Sequence, residues 1–135
     1  MLSKKLSCIL LIDDSFDDNT YHKLIISRLN IAERIDSVSD GEEALDYLQH
    51  ATSPPALIFL DINMPRMNGW EFLEEYEKLP APMKSRIVMM MLTTSADPDE
   101  KQRASKIPTL SGFKTKPLTK EMLTDILQKH FRDHF

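Results

Sequence analysis

The chain has 135 residues, of which 41% are hydrophobic and 28% charged, and its formal net charge is −4. That length fits one domain with its own core, and the composition is that of an ordinary globular protein. No apolar run approaches the roughly 20 residues of a membrane span, the mild acidity argues against a general nucleic-acid binder, and a lone cysteine, Cys8, can form neither an internal disulfide nor a thiolate metal site.

Lys4 and Lys5 precede an apolar run, Leu6–Ile12, that Asp13-Asp14 breaks, which reads as a strand and not as a signal peptide. Cys8 lies inside the run and reads as a small buried hydrophobe, with a cytoplasmic setting as the default. Ser15, with Asp18 three residues on, has the pattern of a helix-starting capping box. Tyr21, Leu24, Ile25, Arg28 and Leu29 then recur at helical spacing and predict a largely apolar face. A second apolar run, Ile35–Val38, is followed by the turn Asp40-Gly41 and a helix marked by Ala44, Leu45 and Leu48. Ala56–Leu60 predicts a third strand, and Phe72, Leu73 and Tyr76 a helix stopped by Leu79-Pro80-Ala81-Pro82. After the fourth run, Ile87–Leu92, Asp97-Pro98-Asp99-Glu100 starts a helix that Pro108 cuts short. A weak fifth run, Gly112–Thr115, leads to a helix capped by Thr119, whose buried stripe is Met122, Leu123, Ile126, Leu127 and Phe131. Strands alternating with helices predict a parallel sheet covered on both faces, in one α/β domain filling the chain.

In such a sheet, ligands bind outside the carboxyl ends of the strands. Asp13 and Asp14 follow the first apolar run, Asp61 the third, Thr93 the fourth and Lys116 the fifth. Clustered carboxylates repel one another unless a cation sits among them, and oxygen ligands with phosphate partners suit Mg²⁺. A carboxylate can act as a nucleophile in phosphoryl transfer, an ammonium can neutralise phosphate oxygens, and a hydroxyl can donate to another. Each feature also has a plain structural reading: helix capping for the acidic pair, turn initiation for Asp61, a solvated strand end for Lys116 and a hydroxyl-rich loop for Thr93-Thr94-Ser95. The coincidence of all four at strand ends favours a phosphate site.

Ile9-Leu10-Leu11-Ile12-Asp13-Asp14, Leu60-Asp61-Ile62-Asn63-Met64-Pro65 with Met67-Asn68-Gly69, Met91-Leu92-Thr93-Thr94-Ser95 and Lys116-Pro117 resemble the receiver domains of two-component response regulators, from about Leu6 to the C-terminus. The resemblance implies a flavodoxin-like, doubly wound (βα)5 fold with five parallel strands in the order 2-1-3-4-5 and a core over about residues 6–131. Asp61 resembles the phosphoacceptor, Thr93 the switch hydroxyl and Lys116 the phosphate-binding lysine, with a cis peptide before Pro117. Mg²⁺ would be held by Asp14, Asp61 and the backbone carbonyl of Asn63, with Asp13 acting through a water. Phe113 stands at the position of the switch aromatic, and the side chains of Asn63 and Ser95 at positions that modulate acyl-phosphate lifetime.

The function implied is a phosphorelay switch, not a conventional enzyme. It would be charged by a sensor histidine kinase or histidine phosphotransfer protein, with no output domain following and the signal leaving by protein contact or onward phosphotransfer. The expected molecule is a monomer or weak homodimer without nucleic-acid or membrane partners. A rival reading, an Asp-nucleophile phosphohydrolase, wants a proton donor two residues after the nucleophile, where Asn63 stands. A receiver-like scaffold that is never phosphorylated is disfavoured because the acidic pair, the acceptor and the lysine are all present. The three glycines, Gly41, Gly69 and Gly112, cannot make a dinucleotide-binding loop. One departure from the family is Lys106–Ser111, where Pro108 replaces the usual small-residue turn and leaves an irregular apolar stretch on the face that usually meets partners.

Overall fold

The computed structural model describes residues 2–84, 86–94 and 97–135. Alternate side chains of the first strand, β1 (Leu6–Ile12), enter two different cores: Leu10 and Ile12 one, Leu6, Ile9 and Leu11 the other. That division follows from the two-residue period of an extended chain. The next strands are β2 (Ala32–Val38), β3 (Leu57–Leu60), β4 (Val88–Thr93) and β5 (Leu110–Thr115). They pair in parallel in the order β2-β1-β3-β4-β5, as the resemblance implies. All four residues of β3 are buried, the continuous apolar run that a central parallel strand needs.

Five α-helices connect and follow the strands: α1 (Phe16–Leu29), α2 (Gly41–His50), α3 (Gly69–Glu77), α4 (Pro98–Ser105) and α5 (Lys120–His130), with short 3-10 turns at Ala81–Met83 and Arg132–His134. One core joins the sheet to α2, α3 and α4 through Ala44, Leu48, Phe72, Leu73 and Ala104. The other joins it to α1 and α5 through Ile26, Leu123, Ile126 and Leu127, with Phe131 beyond. The expected stripe of α5 is buried apart from Met122, which is partly exposed at its edge. Thr119 caps that helix by accepting from the Met122 N–H.

The inward face of α1 differs from the expected one. Tyr21 and Leu24 are 47% and 46% exposed, whereas His22 and Ile26 are buried. Ile25 and Leu29 pack partly against the core, and Arg28 is exposed. Cys8 is buried, but among polar groups: its Sγ lies 3.4 Å from Tyr47 Oη and 3.9 Å from Asp36 Oδ2.

Pro98 opens α4 and the helix ends at Ser105, three residues before Pro108, as the sequence requires. The following apolar residues are not idle. Ile107 and Leu110 pack on the α2-α3-α4 core, and the β4–β5 register shifts between Met89, opposite Leu110, and Met90, opposite Gly112. The shift absorbs Ser111 as one extra residue on β5.

The inward face of α1 can be checked by urea denaturation. Ile26→Ala should cost about 2–5 kcal/mol, the range for emptying a closed core site, while Leu24→Ala should change stability by less than about 1 kcal/mol. Equal losses at the two positions would contradict this placement.

Candidate functional site

Each candidate side chain sits where an apolar strand runs out and the chain turns towards a helix. Asp13 and Asp14 follow β1, Asp61 follows β3, Thr93 is the last residue of β4, and Lys116 follows β5. Parallel pairing carries Ile12 beside Leu60 and Thr93 beside Thr115, so these ends converge. The Asp61 N–H bonds the Ile12 carbonyl at 2.9 Å and the Lys116 N–H bonds the Thr93 carbonyl at 2.8 Å, which locks neighbouring strand ends together. The Lys116–Pro117 peptide is cis.

Asp13, Asp14 and Asp61 each offer a carboxylate oxygen within 4.8 Å of the others; Asp13 and Asp61 are buried and Asp14 is exposed. The Lys116 side chain is only 8% exposed, and its Nζ lies 2.5 Å from Asp13 Oδ2, 2.8 Å from Asp18 Oδ2 and 3.6 Å from Asp61 Oδ2. Asp61 Oδ1 accepts the Ile62 N–H at 2.8 Å.

Burial first, and then the charge of Asp13, push the Asp61 carboxyl up to about 6, against the pull of Lys116, the Ile62 N–H and the Thr93 hydroxyl. Burial works against the Lys116 ammonium too, but its bonds to Asp13 and Asp18 outweigh that and raise its pKa. An all-oxygen cluster of three carboxylates, open on one side through Asp14, is chemically suited to a hard cation.

Of the remaining candidates, Asn63 is exposed on the loop after Asp61. Phe113 is half-buried on β5, opposite Met91 and against the α2-α3-α4 core. Ser95 lies outside the described residues.

Several residues that sequence reasoning did not single out for this site support it. Asn19 donates to the Asp13 carbonyl at 2.9 Å. His22 accepts the Leu118 N–H at 3.4 Å, from the turn after Lys116. Burial and the nearby Lys116 charge hold the His22 ring below its ordinary pKa, in keeping with an accepting, neutral nitrogen. Asp18, His22 and Ile26 are four apart and share one helix face, a signal present in the sequence but hidden by the apolar look of Tyr21 and Leu24.

Asp40 and Arg66 clamp the neighbouring loops. Asp40 is fully buried, caps α2 by accepting the Glu43 N–H at 2.9 Å, and takes Arg66 Nε at 2.9 Å and Arg66 Nη2 on its other oxygen. Burial opposes ionisation of Asp40, but the Glu43 N–H and the guanidinium hold its pKa below the usual carboxylate value. Arg66 adopts the left-handed conformation, φ 62°, to make this contact. Asn68 closes a reciprocal cap with Glu71 at the start of α3. Gly69 lies so close to Asp61 that an added Cβ would fall 2.4 Å from the Asp61 carbonyl oxygen.

With this geometry in place, the comparisons with known proteins agree. The sequence matches the response regulator receiver domain family over residues 9–128. It is 33% identical over 120 residues to two-component response regulator 24 of Arabidopsis thaliana, covering 89% of this chain and 81% of that protein. It is 34% identical over 97 residues to response regulator Rcp1 of a Synechocystis strain, covering 68% of this chain and 65% of that protein. A two-component response regulator from Cytophaga hutchinsonii superposes with a TM-score of 0.89 at 32% identity, over 96% of this chain and 99% of that one. The chain belongs to the response-regulator receiver family, a class of signalling domains. No described helix is long and apolar enough to cross a membrane.

The raised Asp61 pKa has a consequence for stability. A carboxyl whose folded pKa lies above its unfolded value stabilises the fold only while protonated, so this contribution is lost as the pH rises through about 6. Without metal, Asp61→Asn should therefore be more stable than wild type at pH 8, by at most about 3 kcal/mol, and the difference should vanish as the pH falls from 6 towards 4. Thermal unfolding in EDTA over that range measures it.

Proposed function

We propose that Asp61 accepts a phosphoryl group from the phosphohistidine of a sensor histidine kinase or phosphotransfer protein, in a Mg²⁺-dependent reaction. The observation that carries this reading is the placement of the buried Asp61 between a carboxylate cluster and an ammonium 3.6 Å away. A structural aspartate needs neither neighbour.

In the proposed step an Asp61 carboxylate oxygen attacks phosphorus, and the P–N bond to the donor imidazole breaks with its electron pair leaving on nitrogen, which takes up a proton. Hydrolysis reverses the charge state, since attack of water on phosphorus returns the Asp61 carboxylate and inorganic phosphate. Asp14, Asp61 and the Asn63 carbonyl would hold Mg²⁺ directly and Asp13 through a water. The ion's contribution is to neutralise charge on the transferring oxygens. Lys116 bonds a phosphoryl oxygen, and Thr93, fully buried beside Asp61, turns its hydroxyl to another.

Movement of Thr93 would free space towards Phe113, whose half-buried ring can then change position and report the phosphate on the β4–β5 side of the sheet. The side chain of Asn63, exposed beside the acceptor, would modulate the access of water and hence the lifetime of the acyl phosphate; Ser95 is proposed for the same role from the sequence alone. Output follows by protein contact or onward phosphotransfer.

Incubation with acetyl phosphate and Mg²⁺ should raise the intact mass by one phosphoryl group. Asp61→Asn, or EDTA with the wild type, should remove the gain. An undiminished gain in Asp61→Asn would remove Asp61 as the acceptor.

A further inference from the structure

Asp18 is the third residue of α1, where the acid of a reciprocal cap turns back to the N–H of the capping residue. Half of that cap is formed: Ser15 Oγ accepts the Asp18 N–H at 3.1 Å. The other half is missing, because the Ser15 N–H is taken by Asp13 Oδ1 at 2.9 Å. The Asp18 carboxylate is directed instead to Lys116, 98 residues away, at 2.8 Å. Lys116 Nζ therefore rests on Asp13 and Asp18, and stands off from Asp61 at 3.6 Å.

We propose that Asp18 is a brake on phosphoryl acceptance: a positioning residue that holds the Lys116 ammonium back from Asp61 until the incoming phosphoryl group outcompetes it. This rests on the reading of Asp61 as acceptor. Asp18 touches none of the reacting atoms. Its carboxylate, 39% exposed, is the outer of the two that hold Lys116, while Asp13 is almost fully enclosed at 7%. When phosphate oxygens arrive beside Asp61, the more hydrated partner is the one most readily exchanged, because solvent already competes for it. The charge of Asp18 adds a second obstacle by repelling an anionic donor. Both effects have the same sign, so neutralising Asp18 speeds the reaction, whereas mere damage to the start of α1 would slow it.

The test follows the rate of phosphorylation by acetyl phosphate at saturating Mg²⁺, read by intact mass over time, in the full chain. Asp18→Asn should accelerate the wild-type rate by roughly twofold to fivefold, the scale of a partly exposed ion pair. Asp18→Ser, which can still accept hydrogen bonds near the helix start, should do the same and guards against a fault peculiar to one variant. In a Lys116→Ala background Asp18→Asn should lose most of its effect, since only the repulsion of the donor remains. An unchanged or slower rate in both Asp18 variants overturns the brake and leaves Asp61 as acceptor. A full acceleration in the Lys116→Ala background also overturns it, because the effect would then bypass the ammonium. A wild-type chain that never gains a phosphoryl group overturns the acceptor reading and the brake with it.

Discussion

Lys116 must leave water to reach the strand ends, and an ammonium that is 8% exposed is tolerated only if charged partners replace its hydration. Asp13 and Asp18 do so at 2.5 and 2.8 Å. The dependence is mutual. Asp13 and Asp61 are themselves nearly enclosed, and without the ammonium they would face one another with only hydrogen bonds to offset their repulsion. Three features of the fold serve this arrangement: the parallel pairing that brings β1, β3 and β5 to one end, the bonded strand ends, and the first two turns of α1, which supply Asp18, Asn19 and His22.

The loop after Asp61 is held from its other side. Asp40 and Arg66 tie it to the start of α2 through a fully buried carboxylate, and the exchanged bonds of Asn68 and Glu71 fix where α3 begins. Gly69 allows α3 to begin directly against the backbone of Asp61 and Ile62, with its N–H 2.8 Å from the Ile62 carbonyl. Asp61 thus stands on a strand end whose continuation is pinned at two points, which would limit the reorganisation needed in the proposed phosphoryl transfer.

Much of this was legible in the sequence. The apolar runs located all five strands, most clearly the central β1, β3 and β4, because strands buried on both faces read as near-continuous hydrophobic segments. The edge strands β2 and β5 hold no buried residue and gave shorter or weaker runs. Proline bounded α4 correctly, because its ring and missing N–H act locally and need no tertiary context. The strand-end residues Asp13, Asp14, Asp61, Thr93 and Lys116 were legible for a related reason, since chain order alone places them at one end of a parallel sheet. What failed was the face of α1. Periodicity ranks side chains by hydrophobicity, and here the inner face carries Asp18 and His22 where it borders the site, while Tyr21 and Leu24 point outwards. The pairing of Asp40 with Arg66 was likewise hidden, because it spans 26 residues and depends on a left-handed backbone at a non-glycine position. Cys8 was correctly read as buried, but its polar neighbours Asp36 and Tyr47 come from two other elements.

The two faces of α1 have one further consequence. Phe16, Tyr21 and Leu24 are exposed on the same two and a half turns whose inner side bonds Lys116, the Asp13 carbonyl and the Leu118 N–H. The helix is stiff over that length, so a protein that presses on its outer surface also loads the inner contacts. Thermodynamic reciprocity then applies: if phosphorylation changes the affinity of that outer surface for a ligand by some factor, the ligand changes the phosphorylation equilibrium by the same factor. Any ligand of that outer surface would therefore be coupled to the contacts around Lys116 through one continuous helix, with no hinge between them.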